Sequence, residues 1–468
     1  MNRKLIAVTF ILSSYLTSHA QQIEPFNKED RAAATRVDRV VKAAMSTYKI
    51  PGVSLAVLRN GKIILLKSYG LANVEHQVPV KPETIFQSGS IGKQFTAAAI
   101  MILAQENKLS LDDKVSKYFP DAPASWKDIT VWNLLTHTSG LGDYPPDIDL
   151  RRDYTEEQFF ESFKKAPLEF APGTNWNYSN VGYVTLGILI RKVTGKYYGD
   201  FLQERVFRPL GMTTARVISE EDIISNRASG YRLVNGELKN QEWVSPSTNS
   251  TADGSLYFSI LDMAKWDAAL YTDTPLTQAS RNRIWTPAQL SDGTTKGYGF
   301  GWHILDLHGH RLIVHGGAWQ GFKSFIARYP DNNLTVILFA NSSNTNPARL
   351  ANHVAEIIDP RLRPNTIIDP DPKFTAELRQ LLAGVLKGEV DIKRFAPAVG
   401  QALADPNDRL IAHMKTIGPI QKFELLERNV TDAGVLYRYS AEFGSMTVNL
   451  LIRVGKDGRI DRFELNPD

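Results

Sequence analysis

The chain has 468 residues, of which 43% are hydrophobic and 22% charged, and its formal net charge is +4. These values are typical of a soluble globular protein, and the length predicts at least two domains. Basic residues form no block that would follow a phosphate backbone, so we expect no nucleic-acid partner. The sequence contains no cysteine, which excludes disulfides and thiol redox chemistry and leaves histidine and carboxylate as the ligands for a metal.

Residues 1–20 are typical of a secretory signal. Arg3 and Lys4 give a positive start, Leu5–Leu16 is apolar, and Ser18-His19-Ala20 is a small-x-small cleavage site. About 12 apolar residues are too few to cross a bilayer, and no later segment is long and apolar enough to do so. We therefore predict cleavage after Ala20, a secreted or periplasmic protein, and no stable membrane span in the mature chain.

Helical and strand patterns alternate along residues 27–358. Apolar spacing predicts a helix over 27–48, and the turn Asn60-Gly61 joins two apolar runs in a predicted hairpin, Val53–Leu58 with Ile63–Leu66. The next predicted helices are Ala97–Ala104, Phe159–Lys164, Val184–Val193 and Met263–Tyr271. The later predicted elements are the strands Tyr298–Leu305, Leu312–His315, Phe322–Tyr329 and Leu334–Phe339 and a helix over Ala348–Ile358. This order predicts one sheet assembled from distant segments, with a helical domain inserted between them.

The last hundred residues predict a second unit. Residues 359–372 are rich in proline and predict a stiff linker. Residues 373–468 predict a small C-terminal α+β domain, with helical residues 373–404 before four antiparallel strands. These strands are Ile420–Arg428, Val435–Glu442, Thr447–Val454 and Arg459–Leu465. The pattern, without any motif, weakly resembles NTF2-like accessory domains, which often bind small ligands or mediate contacts.

Ser90-Ile91-Gly92-Lys93 places a serine and a lysine on one face of a predicted helix start. Free N–H groups at such a start can stabilise an oxyanion. Partial burial and the positive helix end both disfavour the charged form of Lys93, which would let it take a proton from Ser90. In the alternative, Ser90 only caps the helix and Lys93 is a surface residue. The pattern alone does not decide, because it recurs at Ser46-x-x-Lys49 and Ser162-x-x-Lys165.

Two further motifs favour catalysis when they are taken together with the first. Tyr178-Ser179-Asn180 lies in a predicted loop before a helix, where a tyrosine can relay protons and an asparagine can bind a substrate carbonyl or amide. His315-Gly316-Gly317-Ala318 follows a predicted strand, where the glycines would let a substrate backbone approach. There His315 would line the site as a polar or cationic group, and the N–H of Ala318 would be a second oxyanion donor. Taken singly, each motif is equally typical of a turn.

In this order, Ser-x-x-Lys, Tyr-x-Asn and His-x-Gly resemble the motifs of serine hydrolases related to class C β-lactamases and penicillin-binding DD-peptidases. The resemblance covers roughly residues 30–358. Further stretches that resemble the family are Leu134–Leu141, Pro172-Gly173-Thr174, Pro209-Leu210-Gly211-Met212 and Tyr298-Gly299-Phe300-Gly301-Trp302. The resemblance implies an α/β (α+β) fold, with an antiparallel sheet flanked by helices and an inserted helical domain.

The resemblance also implies a role for each motif. Ser90 would be acylated, and Lys93 and Tyr178 would share proton transfer to and from it. Asn180 would hold the substrate, His315 and Gly317 would line the site, and the N–H groups of Ser90 and Ala318 would form the oxyanion hole. The implied substrate is a small ester, a peptide or a peptidoglycan-like molecule, and neither a metal nor an organic cofactor is implied.

Two departures from the family pattern bear on the substrate. The chain has His315-Gly316-Gly317 where β-lactamases carry Lys-Thr-Gly, whose lysine helps to bind a substrate carboxylate. This replacement is common among the esterases and peptidases of the family and argues against an efficient β-lactamase. The stretch Asp253–Ser259 is bulkier than the glycine-rich family version, which predicts a narrower acyl pocket.

The sequence also bears on three other classes of protein. A metal enzyme would use His303, His308, His310 and His315, but His308-Gly309-His310 is typical of a hairpin turn and no carboxylate follows at ligand spacing. An α/β-hydrolase needs Gly-x-Ser-x-Gly, and residue 88 is serine. A penicillin-binding-like receptor without efficient turnover stays an alternative, because the C-terminal unit weakly resembles accessory domains that often bind small ligands.

Overall fold

The computed structural model describes residues 28–403, 419–443 and 446–467. The predicted signal segment, residues 1–20, lies outside the described residues. The α-helices are α1 (Lys28–Tyr48), α2 (Lys93–Gln105), α3 (Val131–Leu135), α4 (Glu156–Lys164), α5 (Asn180–Thr194), α6 (Tyr198–Leu202), α7 (Ile260–Ala269), α8 (Gln278–Ile284), α9 (Pro347–Ile358), α10 (Pro372–Lys387) and α11 (Pro397–Leu403). The strands are β1 (Gly52–Arg59), β2 (Lys62–Asn73), β3 (Val78–Pro79), β4 (Ile85–Gln87), β5 (Arg216–Val217), β6 (Tyr231–Val234), β7 (Glu237–Asn240), β8 (Leu256–Ser259), β9 (Ala288–Gln289), β10 (Thr295–Lys296), β11 (His303–Leu307), β12 (His310–Trp319), β13 (Phe322–Tyr329), β14 (Leu334–Ala340), β15 (Lys422–Thr431), β16 (Gly434–Phe443), β17 (Met446–Gly455) and β18 (Ile460–Pro467).

A seven-stranded antiparallel sheet forms the centre of the larger unit. Its strand order is β11-β12-β13-β14-β1-β2-β3. Strand β1 pairs on one side with β2, its neighbour in the chain, and on the other with β14, so that Leu55 lies opposite Leu338. The prediction of one sheet assembled from distant segments is therefore confirmed.

Both faces of this sheet are covered. Side chains of β1 alternate between the faces, as the pleat requires: Leu55 and Val57 join a core with helices α1 and α9, whereas Ala56 and Leu58 join a second core with α2 and the helical region. Because both faces are buried, β1 is apolar along most of its length rather than alternating with polar residues. The site lies where the second core meets the sheet.

Three predicted boundaries were wrong in ways that affect the site. The strand predicted from Tyr298 begins at His303, because Gly301 adopts a left-handed backbone with φ of +73°. Strand β12 continues to Trp319, so the His-Gly-Gly-Ala motif lies within a strand and not at a strand end. Helix α5 begins at Asn180, which makes this residue the first of the helix rather than part of the loop.

The C-terminal region contains the four predicted antiparallel strands, in the order β15-β16-β17-β18. The predicted helical stretch is two helices, α10 and α11, because Gly388 ends the first with φ of +85°. Leu382, Tyr439 and Leu450 are fully buried in a core of their own. Across the described parts of the chain, no helix is both long and apolar enough to cross a membrane.

Candidate active site

A tight turn delivers Ser90 to the start of helix α2. Strand β4 ends at Gln87, and residues Gly89–Gly92 form one turn of 3-10 helix that leads directly into α2. The N–H of Ser90 therefore lies in a first helical turn, where no earlier helical carbonyl can accept it. Ser90 itself is half-buried, which leaves one side of the residue open to a substrate.

Lys93 is buried, with no side-chain surface exposed to solvent. Its Nζ atom lies 2.6 Å from Asn180 Oδ1, 2.6 Å from the carbonyl oxygen of Asp253 and 3.3 Å from Ser90 Oγ. The first two groups can only accept hydrogen bonds, whereas the serine hydroxyl can donate or accept. A charged Lys93 donates to all three, and a neutral Lys93 donates to the two fixed acceptors and offers its lone pair to Ser90. The arrangement thus lets a proton pass between Ser90 and Lys93 with the other two bonds intact.

Tyr178 and Asn180 reach the same lysine from the other side. The ammonium of Lys93 lies 4.8 Å from the centre of the Tyr178 ring. The Tyr178 hydroxyl is buried and has no hydrogen-bond partner among the residues that the structure describes. Asn180 is held from both ends, because its Nδ2 donates to the carboxylate of Asp143 at 3.1 Å while its Oδ1 accepts from Lys93. The first two predicted motifs are therefore brought together around Lys93.

His315 lies beneath the site and is neutral. Burial, followed by the nearby positive charges of His303 and Lys93, holds the pKa of His315 well below its ordinary value of about 6.5. Its Nδ1 donates to the carbonyl of Gly316 at 2.7 Å, and its Nε2, 3.0 Å from the Tyr298 hydroxyl, accepts from it. Both ring nitrogens are thus occupied within the protein. Of the two expectations for His315, a polar or a cationic group, desolvation favours the polar, uncharged ring.

The glycines of the third motif pack against the chain itself. A Cβ atom on Gly317 would lie 2.0 Å from the carbonyl oxygen of Ser88. A Cβ atom on Gly89, whose φ is +51°, would lie 2.4 Å from the backbone nitrogen of Ala318. The close approach expected for a substrate at Gly317 is therefore made by the turn that carries Ser90.

The backbone N–H of Ala318 faces away from β13. Trp319 pairs with Phe322 across the two-residue turn Gln320-Gly321, and Ala318 pairs with Lys323. A pair that flanks such a turn is hydrogen-bonded, so the next pair is not, and the Ala318 N–H points to the opposite edge. On that edge the pairing of β12 with β11 ends at Val314. The two predicted oxyanion donors, at Ser90 and Ala318, thus belong to backbone segments in direct contact.

The stretch Asp253–Ser259 packs against the turn Ser88–Ser90. Gly254 packs so closely that a Cβ atom there would lie 2.5 Å from the carbonyl oxygen of Gly89. Ser88 Oγ donates to the Gly254 carbonyl at 2.7 Å. The bulky residues Leu256–Phe258 are buried in β8, which pairs with β4. Their effect on the width of an acyl pocket stays a prediction.

Two contributors were missed by sequence reasoning. The Asp253 carbonyl binds Lys93, and a backbone acceptor leaves no signal in a motif. His137 is buried with its ring 4.3 Å from that of Tyr178, and its Nδ1 accepts the N–H of Ser179 at 3.1 Å. Burial, then the charge of Lys93, holds the pKa of His137 well below its ordinary value. Its place within the Leu134–Leu141 signature was the available signal.

The four histidines considered as metal ligands do not converge. The rings of His303 and His315 lie 5.3 Å apart under the site, whereas His308 and His310 lie at the turn between β11 and β12. Within the described ranges, no three histidine or carboxylate side chains are placed to hold a metal ion.

Comparison with known proteins agrees with this geometry. The sequence model of the family described as Beta-lactamase matches residues 37–358. The chain belongs to this family. Penicillin-binding protein 4* of Bacillus subtilis is 30% identical over 312 residues, which are 63% of this chain and 68% of the relative. A D-aminopeptidase of Gluconobacter oxydans is 28% identical over 319 residues, 66% of this chain and 59% of the relative.

A solved structure extends the similarity beyond the family match. The octameric penicillin-binding protein homologue of Pyrococcus abyssi superposes with a TM-score of 0.64 at 25% identity, over 93% of this chain and all of that one. The predicted β-lactamase-like fold and relationship are confirmed. The chain is a β-lactamase-related serine hydrolase with penicillin-binding and peptidase relatives.

Proposed function

We propose that the protein is an exported hydrolase that forms an acyl-enzyme on Ser90 and cleaves an ester or a peptide amide. The observation that carries the proposal is the buried Lys93, whose Nζ lies 3.3 Å from Ser90 Oγ and is held by two fixed acceptors. Asn180 Oδ1 and the Asp253 carbonyl already hydrogen-bond the buried amine, so the fold does not require a serine beside Lys93. Its position instead supports proton exchange with a nucleophile.

The proposed reaction has two halves. Ser90 gives its proton to the neutral amine of Lys93, and Oγ forms a bond to the substrate carbonyl carbon. The N–H groups of Ser90 and Ala318 stabilise the resulting oxyanion. The Tyr178 hydroxyl passes a proton to the leaving group and is reprotonated from Lys93, and the carbonyl–leaving-group bond breaks. Water then attacks the acyl-enzyme with the same groups working in reverse, which releases the acid and restores Ser90.

The substrate proposal rests on what surrounds the site. His315 is neutral and both of its ring nitrogens are hydrogen-bonded within the protein, so it supplies no positive charge for a substrate carboxylate. This argues against an efficient β-lactamase. The exposed carboxylate of Asp143, bonded to Asn180, places negative charge at the same opening. The D-aminopeptidase relative supports the amide arm of the proposal. We would test a short-chain ester first and a D-amino-acid-containing peptide second.

The proposal is tested by labelling the full-length mature chain with a fluorophosphonate and with fluorescent penicillin, then locating the label by mass spectrometry. We expect the label on Ser90 and its loss in Ser90→Ala. Ser162→Ala is the matched control, because Ser162 belongs to the same Ser-x-x-Lys pattern on an unrelated helix. A folded protein that carries neither label on Ser90 would favour the penicillin-binding-like receptor.

The proposal extends to export and to the C-terminal unit. Export predicts that the secreted or periplasmic form begins at Gln21, which N-terminal mass analysis can check.

We propose that residues 373–468 form an accessory domain joined by the linker 359–372, since they build a separate core. Ile367 of the linker donates its N–H to the Leu425 carbonyl at 2.9 Å. A folded chain truncated within the linker should keep its hydrolytic activity, and loss of activity would make the unit part of the enzyme.

A further inference from the structure

Asn249 is a buried asparagine outside the three motifs. Its side chain is fully buried, and it lies in the turn that follows β7 and precedes the Asp253 stretch. Its Nδ2 donates to Gln320 Oε1 at 2.8 Å and to Glu220 Oε1 at 3.1 Å, and its Oδ1 accepts from Trp319 Nε1 at 2.6 Å. The indole N–H can only donate, so the orientation of the amide is determined by the network.

The partners of Asn249 are the residues that follow the proposed oxyanion donor. Trp319 and Gln320 come directly after Ala318 in the chain, at the tip of the β12–β13 hairpin. Gln320 Oε1 also accepts from Gln87 Nε2 at 3.1 Å. Gln87 ends β4, immediately before the turn that carries Ser90. One amide network therefore connects the hairpin tip with the segment that delivers the serine.

Asn249 also connects to the lysine. Its backbone N–H donates to the Ser245 carbonyl at 3.0 Å, which fixes the turn in which it lies. Asp253, whose carbonyl accepts from Lys93, follows shortly after it in the chain. The Asn249 side chain thus links the segment 249–253, whose Asp253 carbonyl accepts from Lys93, to strand β12, which contains Ala318.

We infer that Asn249 is a positioning residue that sets the distance between the Ala318 N–H and Ser90 by clamping Trp319 and Gln320. This inference rests on the proposed function, because it needs Ala318 to be an oxyanion donor. The backbone of the hairpin tip packs against Gly230 and Tyr231, and Asn249 adds side-chain hydrogen bonds to Trp319 and Gln320. A donor displaced by a fraction of an ångström loses much of its effect on the developing charge. Asn249 itself touches no reacting atom.

The test measures fluorophosphonate labelling rates, and kcat and KM for p-nitrophenyl acetate, in the full-length protein. Asn249→Ala should lower the labelling rate and kcat between about tenfold and a hundredfold, less than the ~10²–10³ expected for loss of a whole donor. KM should stay unchanged, because the substrate ground state does not need the displaced N–H. A merely structural asparagine would lower the melting temperature and leave kcat in place.

Two further variants keep the test decisive. Trp319→Phe removes the indole N–H that donates to Asn249 but keeps an aromatic ring, and it should reproduce part of the effect even if Asn249→Ala does not fold. Asn332→Ala is the matched control, since Asn332 is also buried and donates to Asp359 at 2.9 Å, beyond the opposite end of β13. It should lose stability and keep kcat.

The outcomes separate this inference from the proposed function. Wild-type rates in folded Asn249→Ala and Trp319→Phe, with labelling abolished in Ser90→Ala, would overturn the inference and leave the acyl-enzyme proposal standing. Undiminished labelling in Ser90→Ala would overturn both. A lowered kcat in both network variants, with Asn332→Ala unaffected, supports the clamp.

Discussion

The Ser-x-x-Lys pattern occurs at both Ser90 and Ser162, and the two regions share nothing else. Lys93 is fully buried and its Nζ meets three oxygens, whereas Lys165 is exposed at the C-terminal end of α4. Ser90 follows Gly89, whose backbone is left-handed with φ of +51°, while Ser162 lies inside its helix and donates to the Phe159 carbonyl at 2.6 Å. The Ser-x-x-Lys spacing alone therefore does not predict a catalytic pair. The serine must also lie outside the body of a helix, and the lysine must be buried beside it.

The largest expected effect comes from replacing the lysine of each Ser-x-x-Lys pattern. Lys93→Met keeps the length of the side chain and removes the amine, so hydrolysis of p-nitrophenyl acetate should fall by about 10⁴-fold, the upper end for a general base. Lys165→Met should leave the rate unchanged. Lys93→Met leaves Asn180 Oδ1 and the Asp253 carbonyl without their donor, so this variant should also lose about 1–3 kcal/mol of stability. Steady-state rates and circular dichroism check this, and more than a tenth of the wild-type rate in Lys93→Met would contradict it.

The second prediction concerns the turn. Gly89→Ala would place a Cβ atom 2.4 Å from the Ala318 nitrogen at a φ of +51°, which pushes the two proposed oxyanion donors apart. We expect kcat to fall by about 10³-fold, as for loss of an oxyanion donor. Gly211→Ala is the control, since its φ is +65° and no atom lies within 4 Å of the added Cβ. Gly211→Ala should lose about 1 kcal/mol of stability from backbone strain, and Gly89→Ala should lose more because its Cβ also meets backbone atoms of β12. Equal kcat values in the two folded variants would refute the prediction.

The same contrast explains what the sequence could and could not predict. The three motifs were found because each needs particular side chains, and the main sheet was found because its strands are long and apolar. The Asp253 carbonyl and the Ala318 N–H are backbone groups that any residue type can supply. Strand β12 was predicted too short because Gly316-Gly317 is typical of a turn, whereas pairing with β13 and packing against Ser88 keep it extended. Asn249 gave no signal, because its partners lie some 70 residues away.

The third prediction compares two tyrosines next to Lys93. The Tyr178 hydroxyl is buried without a partner among the described residues, whereas the Tyr183 hydroxyl donates to the Leu135 carbonyl at 2.9 Å. Tyr178→Phe should lower kcat by about 10²-fold, because a proton relay is lost. Tyr183→Phe should cost about 1 kcal/mol of stability, as for one hydrogen bond, and change kcat little. Kinetics and urea unfolding of both variants check this, and the reverse assignment would move the relay to Tyr183.

The smallest effect is on stability and comes from the two buried histidines beneath the motif. Burial first, and nearby positive charge second, depress the pKa of His137 and of His315 in the folded protein. Below about pH 6.5 the unfolded chain therefore binds protons that the folded chain does not, so the free energy of unfolding falls as the pH falls. The slope should be at most about 1.4 kcal/mol per pH unit for each histidine, and it should vanish above neutral pH.

Urea unfolding across this pH range compares the buried histidines with an exposed one. His137→Gln and His315→Gln should each flatten the slope, because the unfolded chain then loses the proton-binding group. His76→Gln, at an exposed turn, should leave the slope as it is in the wild type. An unchanged slope in both buried variants would mean that water reaches these rings in the folded protein. If Ser90 is the proposed nucleophile, its reactivity should depend on the same exclusion of water that keeps these histidines uncharged, whereas Lys165, the partner of Ser162 in the pattern, is exposed.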